Sequence, residues 1–195
     1  RQKSPLGLGH AVLCAESVVG DEPFAVLLGD DLIDAPVPCT RQLIELYERE
    51  QASVVGVMKV PRQDSSKYGM VGGRPLPSSS DQRTLHVDRL VEKPAPSDSP
   101  SEFAIPGRYV LSPSIFGYIR EVKPGKGGEI QLTDALQLLA ERERLLSYQF
   151  EGTRYDAGDR LDNVVVSRPI LEGARAAEAG ERAMNRLWVY GFQAW

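Results

Sequence analysis

The hydrophobic positions along the first half of the chain alternate between helical and strand-like spacing. The segments GHAVLCAESVV (9–19) and TRQLIELYEREQ (40–51) carry apolar residues at helical intervals. Between them, FAVLLGD (24–30) is a continuous apolar run, which is typical of a strand buried on both faces. SVVGVMKV (53–60) is rich in β-branched residues and also predicts a strand. Strand, helix and strand at this spacing predict a βαβ unit with parallel strands.

The second half predicts more strands, separated by Gly, Pro and Ser, and one strongly amphipathic helix. The predicted elements here are strands at Tyr68–Gly72, Thr84–Glu92 and 103–112, a helix at 130–144, and a final pair of short strands in LLSYQFEG and RYDAG. We find no internal repeat and no long linker in the chain. The pattern therefore predicts a single α/β unit with a mixed sheet.

Composition narrows the class of protein further. The chain has 195 residues, of which 42% are hydrophobic and 26% charged, as expected for a globular protein. Its 23 basic and 27 acidic residues give a net charge of −4, which argues against a general nucleic-acid binder. Cys14 and Cys39 have no metal-type spacing, so we expect two reduced thiols. No apolar run reaches the length of a membrane span.

Two acidic motifs stand where predicted strands end. Asp30 and Asp31 follow the apolar run of LLGDD, and Asp156 lies in YDAGD. Mg²⁺ prefers one or two carboxylates together with substrate phosphates, and ligands of α/β sheets bind at strand ends. Taken alone, however, each motif favours a loop or a helix cap. A metal site requires Asp30 and Asp156 to converge, which sequence does not determine.

Three further motifs have both a structural and a functional interpretation. Glu92 and Lys93 in VEKP could reach one cleft only if the chain turns there, because a strand points successive side chains to opposite faces. On the dipeptide alone, an exposed ion pair is favoured. Gly7 in GLGHA and Glu129 in GGEIQLTD lie in glycine loops, for which an ordinary surface loop is the default interpretation.

The motifs taken in order are more specific than any one of them. GLGHAVLCA, LLGDD, YGMV, VEKP, GRYVLSPSIF, GGEIQLTDAL and YDAGD follow one another along the chain. This series closely resembles the bacterial-type UTP–glucose-1-phosphate uridylyltransferases of the sugar nucleotidyltransferase superfamily, over roughly Arg1 to Leu161. The resemblance implies a Rossmann-like three-layer α/β/α fold with a mixed, mainly parallel sheet, the nucleotide-diphospho-sugar transferase fold.

The resemblance also implies roles for the residues that match the family's motifs. It implies Lys93 and Asp30 as catalytic residues, and Asp30 and Asp156 as ligands of the cofactor Mg²⁺. The implied substrate contacts are Gln2 and Gly7 to the uracil, Gly69, Glu92 and Ile105 to the sugar, Lys93 to the sugar phosphate, and Glu129 on the same face.

The chain departs from the family pattern at both ends. The family's G-x-G-T-R loop is absent, so the resemblance predicts an N-terminally truncated domain. We expect residues 1–161 to form a partial nucleotidyltransferase domain that binds sugar and metal. Residues 162–195 predict a helical tail that is atypical for the family, and Arg160 replaces the expected Lys.

The implied reaction is nucleotidyl transfer from UTP to glucose 1-phosphate, which gives UDP-glucose and pyrophosphate. The expected partners are these small molecules, with no nucleic acid and no membrane, in a cytoplasmic protein that is a homo-oligomer at full length. Two alternatives stay open. One is a thymidylyl- or adenylyltransferase of the same superfamily, and the other is a non-catalytic sugar-nucleotide-binding or regulatory remnant.

Overall fold

The computed structural model describes residues 2–76 and 82–156. The helices are α1 (Leu8–Leu13), α2 (Glu16–Val19), α3 (Cys39–Glu50), α4 (Ile115–Glu121) and α5 (Leu132–Arg142). The strands are β1 (Phe24–Leu27), β2 (Asp31–Asp34), β3 (Ser53–Lys59), β4 (Gly69–Pro75), β5 (Thr84–Glu92), β6 (Phe103–Ile105), β7 (Arg108–Leu111), β8 (Leu145–Gln149) and β9 (Thr153–Asp156). The predicted α/β class is confirmed. The expected helical tail (162–195) and the domain boundary at residue 161 lie outside the described residues.

Seven of the strands form one mixed sheet in the order β1-β7-β3-β6-β4-β5-β8. The prediction of a mainly parallel sheet is wrong for the described part of the chain, where only β3 and β8 pair in parallel. Parallel neighbours need a crossover of a dozen or more residues. The connection from β4 to its antiparallel partner β5 is shorter than that, whereas the chain between β3 and its parallel partner β8 includes the helices α4 and α5.

The two strands of the predicted βαβ unit run in the same direction, as expected, but they are not neighbours in the sheet. Strands β1 and β3 both pair antiparallel with β7, so they run in the same direction with β7 between them. All four residues of β7 are buried, whereas the four residues of β1 are only half-buried. The fully buried strand β7, from later in the chain, therefore lies between β1 and β3, which the local pattern predicted to be neighbours.

The core lies on both faces of this sheet. Val54 of β3 packs in a cluster with Leu43 and Leu46 of α3. Its neighbours Val55 and Val57 pack in a second cluster that includes residues of α4 and α5. Successive side chains of a strand point to opposite faces, so the alternation along β3 places α3 on one side and α4 and α5 on the other.

A separate two-stranded ribbon joins β2 and β9. The predicted pairing of the last two strands with each other is wrong, because β8 enters the main sheet while β9 pairs antiparallel with β2. In this ribbon Asp31 lies directly opposite Asp156. The ribbon thus brings the LLGDD and YDAGD motifs together. None of the helices in the described ranges is long and apolar enough to cross a membrane.

Candidate functional site

Three of the residues expected at a sugar site lie side by side on neighbouring strands. Gly69 opens β4, and its register partners are Glu92 on β5 and Ile105 on β6. Gly69 and Ile105 are buried, whereas the Glu92 side chain is 24% exposed. The backbone of Gly69 and Ile105 and the carboxylate of Glu92 therefore meet at one end of the sheet.

Lys93 completes this group because the strand is broken there. Its φ of 45° lies in the left-handed region, which few non-glycine residues adopt. Its backbone N–H donates to the carbonyl of Tyr68 at 3.0 Å. As a result Lys93 Nζ lies 3.8 Å from Glu92 Oε1, and both side chains stand at the same end of β5. The chain therefore turns at Lys93, which the sequence alone did not determine.

The two acidic motifs converge through the β2–β9 ribbon. Asp30 is exposed in the turn that joins β1 and β2, next to Asp31, which faces Asp156 across the ribbon. Asp31 is only 5% exposed. Burial raises the pKa of its carboxyl to about 6, although the nearby Arg154 opposes this shift. The adjacent acids thus have opposite environments, Asp30 toward solvent and Asp31 toward the protein.

Arg154 of β9 is the residue that sequence reasoning missed in this region. It donates through Nε to Asp31, through Nη2 to Asp156 Oδ2 at 3.0 Å and through Nη1 to the Tyr68 hydroxyl at 3.0 Å. Its guanidinium also lies 5.4 Å from the centre of the Tyr68 ring, a distance typical of a cation–π contact. The period of two along TRYD, which puts Arg154 and Asp156 on one face, was the available signal.

Arg154 and Tyr68 connect the acidic ribbon to the sugar-site strands. The Tyr68 side chain receives the hydrogen bond from Arg154, and its carbonyl receives the bond from the Lys93 N–H. Tyr68 also directly precedes Gly69. A continuous path of hydrogen bonds and backbone therefore runs from Asp156 to Lys93.

The residues expected to read the base form a third group. Gln2 Nε2 donates to the carbonyl of Gly7 at 3.2 Å. Gly7 has φ 96°, and a Cβ built there would lie 2.7 Å from the Ile130 carbonyl and 2.9 Å from Glu129 Cβ. Gly7 therefore has no room for a side chain, and the GLGHA loop packs directly on the GGEIQLTD segment.

The carboxylates on the ribbon suit a hard cation that is completed by phosphate and water. Within residues 2–76 and 82–156, no group of three or more His, Cys, Asp or Glu side chains is arranged to hold a metal ion by itself. Asp30 in the turn before β2 is exposed, and Asp156 on β9 is partly exposed, so both carboxylates are accessible at this end of the ribbon.

The chain is similar in sequence to known proteins. UTP–glucose-1-phosphate uridylyltransferase of Bacillus subtilis (strain 168) is 51% identical to the chain over 161 residues, which are 83% of this chain and 54% of that protein. The corresponding protein of Staphylococcus epidermidis (strain ATCC 12228 / FDA PCI 1200) is 45% identical over 161 residues, covering 83% and 54% respectively. The chain spans about half the length of the curated relatives it matches.

Solved structures show the same similarity in three dimensions. A UDP-glucose pyrophosphorylase complexed with UDP-glucose superposes with a TM-score of 0.81 at 41% identity, over 89% of this chain and 65% of that one. A model of the nucleotidyl transferase family matches residues 1–173. Because that match covers most of the 195 residues, the chain belongs to the nucleotidyl transferase family.

Proposed function

We propose that this chain carries the sugar, metal and base contacts of a UTP–glucose-1-phosphate uridylyltransferase, in a Rossmann-like three-layer fold. The observation that carries the proposal is the alignment of Gly69, Glu92 and Ile105 on three adjacent strands, with Lys93 beside them. The names of the similar proteins support UTP and glucose 1-phosphate as substrates and UDP-glucose as product.

In the proposed reaction a phosphate oxygen of glucose 1-phosphate attacks the α-phosphorus of UTP, and pyrophosphate leaves from the opposite side. Both reactants are anions, so a fixed cation near the attacking phosphate lowers their repulsion. Lys93 supplies this charge, and Glu92 accepts hydrogen bonds from the sugar hydroxyls. No covalent intermediate with the protein is required, since positioning and electrostatics can account for the rate.

Asp30 and Asp156 would hold Mg²⁺, which neutralises charge on the phosphates when it is bound. Gln2 and the backbone at Gly7 would contact the uracil, with Glu129 on the same face of the site. The free thiols of Cys14 and Cys39 support the cytoplasmic location proposed here.

The test is release of pyrophosphate from UTP and glucose 1-phosphate, measured with Mg²⁺ and with dTTP and ATP as competing nucleotides. Turnover with UTP above that with dTTP and ATP supports the proposal. A preference for dTTP or ATP would assign the chain to the related thymidylyl- or adenylyltransferases. Binding of UDP-glucose without turnover would indicate the non-catalytic alternative, and neither binding nor turnover would contradict the proposal.

The metal role can be tested with a matched pair of variants, one just before β2 and one at its end. Asp30→Asn removes the exposed carboxylate at the start of the ribbon, whereas Asp34→Asn changes the exposed acid at the other end of β2. We expect Asp30→Asn to reduce Mg²⁺-dependent turnover about 100-fold or more, a loss typical of a group that stabilises developing charge. Asp34→Asn should retain wild-type turnover, and equal effects of both substitutions would contradict the metal role of Asp30.

A further inference from the structure

The hydroxyl of Thr133 contacts the carboxylate expected to bind the sugar. Thr133 lies in the first turn of α5, is 7% exposed, and donates from Oγ1 to Glu92 Oε2 at 2.6 Å. This is a hydrogen bond from a neutral donor to a charged acceptor, a class that is shorter and stronger than neutral pairs. A nearly buried threonine thus fixes one oxygen of a carboxylate that is otherwise partly open to solvent.

Gly69 provides independent support for the importance of this contact. A Cβ built on Gly69 would lie 2.9 Å from Thr133 Oγ1 and 3.2 Å from Glu92 Oε2. Any side chain at position 69 would therefore push against the hydrogen-bonded pair itself. The glycine, the glutamate and the threonine come from β4, β5 and α5, and they lie in close contact.

A second polar contact holds the same helix on the same strand. Gln137, one turn after Thr133 on α5, accepts a hydrogen bond from the backbone N–H of Leu90 at 2.6 Å. Residues four apart lie on the same face of a helix, so Thr133 and Gln137 together secure α5 along β5. The position of the Thr133 hydroxyl relative to Glu92 is therefore set by two contacts rather than by one.

We propose that Thr133 is a positioning residue that orients the Glu92 carboxylate toward the sugar hydroxyls. It thereby sets the affinity for the sugar part of a sugar nucleotide and leaves the affinity for the nucleotide part unchanged. With Oε2 fixed by Thr133 and Oε1 3.8 Å from Lys93 Nζ, the plane of the carboxylate has little freedom to rotate. This inference rests on the proposed function of Glu92 and adds the residue that holds it in place.

The experiment measures binding of UDP-glucose and of UDP, each with Mg²⁺, to the 195-residue chain by isothermal titration calorimetry. Thr133→Val removes the hydroxyl and keeps the branched shape, and Thr133→Ser keeps the hydroxyl. We expect Thr133→Val to weaken UDP-glucose binding about tenfold, or about 1.4 kcal/mol, and to leave UDP binding within about twofold of wild type. Thr133→Ser should bind both ligands nearly as wild type does.

Two controls separate positioning from a loss of structure. Thermal unfolding should show Thr133→Val and Thr133→Ala folded, and both should show the same selective loss of UDP-glucose binding. In a Glu92→Gln background, Thr133→Val should add little, since the two residues act as a unit. Additive losses, equal losses for both ligands, or unchanged binding by Thr133→Val would each overturn the inference.

The outcomes also distinguish this inference from the proposed function. A wild-type chain that binds UDP-glucose while Thr133→Val binds it equally well would overturn the role of Thr133 alone. A wild-type chain that binds neither UDP-glucose nor UDP would overturn the proposed function and, with it, the role of Thr133.

Discussion

Arg154 and Asp31 form an ion pair that is largely removed from solvent, with 14% and 7% of their side chains exposed. The backbone carbonyl of Asp31 also accepts a hydrogen bond from Arg108, so the residue is fixed through both its main chain and its side chain. Asp30, one position earlier, is exposed. The buried neighbour thus anchors the turn that presents the exposed carboxylate.

Removing the cation from this pair should be costly. Arg154→Met leaves the Asp31 carboxylate buried without its partner, and we expect a loss of about 3–5 kcal/mol in the free energy of unfolding. Arg41→Met is the control, because the Arg41–Glu45 pair is exposed and should contribute less than about 1 kcal/mol. Chemical denaturation measures both.

The double substitution Arg154→Met with Asp31→Asn identifies the cause of that loss. It removes the unpaired charge, so it should recover part of the stability that Arg154→Met loses. Equal effects of Arg154→Met and Arg41→Met, or no recovery in the double variant, would contradict this account of the pair.

At this scale sequence reasoning separated the two acids only in part. The resemblance assigned the metal to Asp30, and the structure shows that the adjacent Asp31 is buried. The partner of Asp31 lies 123 positions away on β9, and no local pattern links the two. The roles of Asp30 and Asp156 as metal ligands stay predictions.

Among the elements, α1 and the segment before α5 depend on each other. The N–H of Ile130 donates to the Leu6 carbonyl at 2.8 Å, and the N–H of Gly9 donates to the Ile130 carbonyl at 2.9 Å. These bonds form a short backbone bridge between the GLGHA and GGEIQLTD motifs. The close approach at Gly7 allows the bridge to form.

Two glycine substitutions test this bridge with opposite expected signs. Gly7→Ala forces a side chain into φ 96° and ψ 171° against the Ile130 carbonyl, and we expect a loss of about 1–3 kcal/mol in the free energy of unfolding. Gly117→Ala in the exposed face of α4 meets no atom within 4 Å and should stabilise by about 0.5–1 kcal/mol. Thermal unfolding of both variants checks the signs, and a neutral Gly7→Ala would contradict the close approach.

Hydrophobic spacing predicted most of the helices and strands, but it did not predict which strands pair with each other. The Thr84–Glu92 strand has the predicted bounds, and the helix expected at 130–144 is observed at Leu132–Arg142. Local periodicity reports which residues face the core. It does not report that β7 separates β1 from β3, or that β9 leaves β8 to pair with β2, since those choices depend on contacts far apart in sequence.

Across the whole molecule the candidate residues form three connected groups. The base group consists of Gln2, Gly7 and Glu129. The GGEIQLTD segment joins it to Thr133, which contacts Glu92. The sugar group consists of Gly69, Glu92, Lys93 and Ile105. Hydrogen bonds of Tyr68 and Arg154 connect it to the acidic ribbon.

The most direct measurement is a crystal structure of the chain with UDP-glucose and Mn²⁺ in place of Mg²⁺, using anomalous scattering to locate the metal. We expect a Mn²⁺ peak bound by Asp30 and Asp156, with the glucose against Gly69 and Glu92 and its phosphate near Lys93. A metal peak away from the β2–β9 ribbon, or a glucose that does not contact Glu92, would contradict the account.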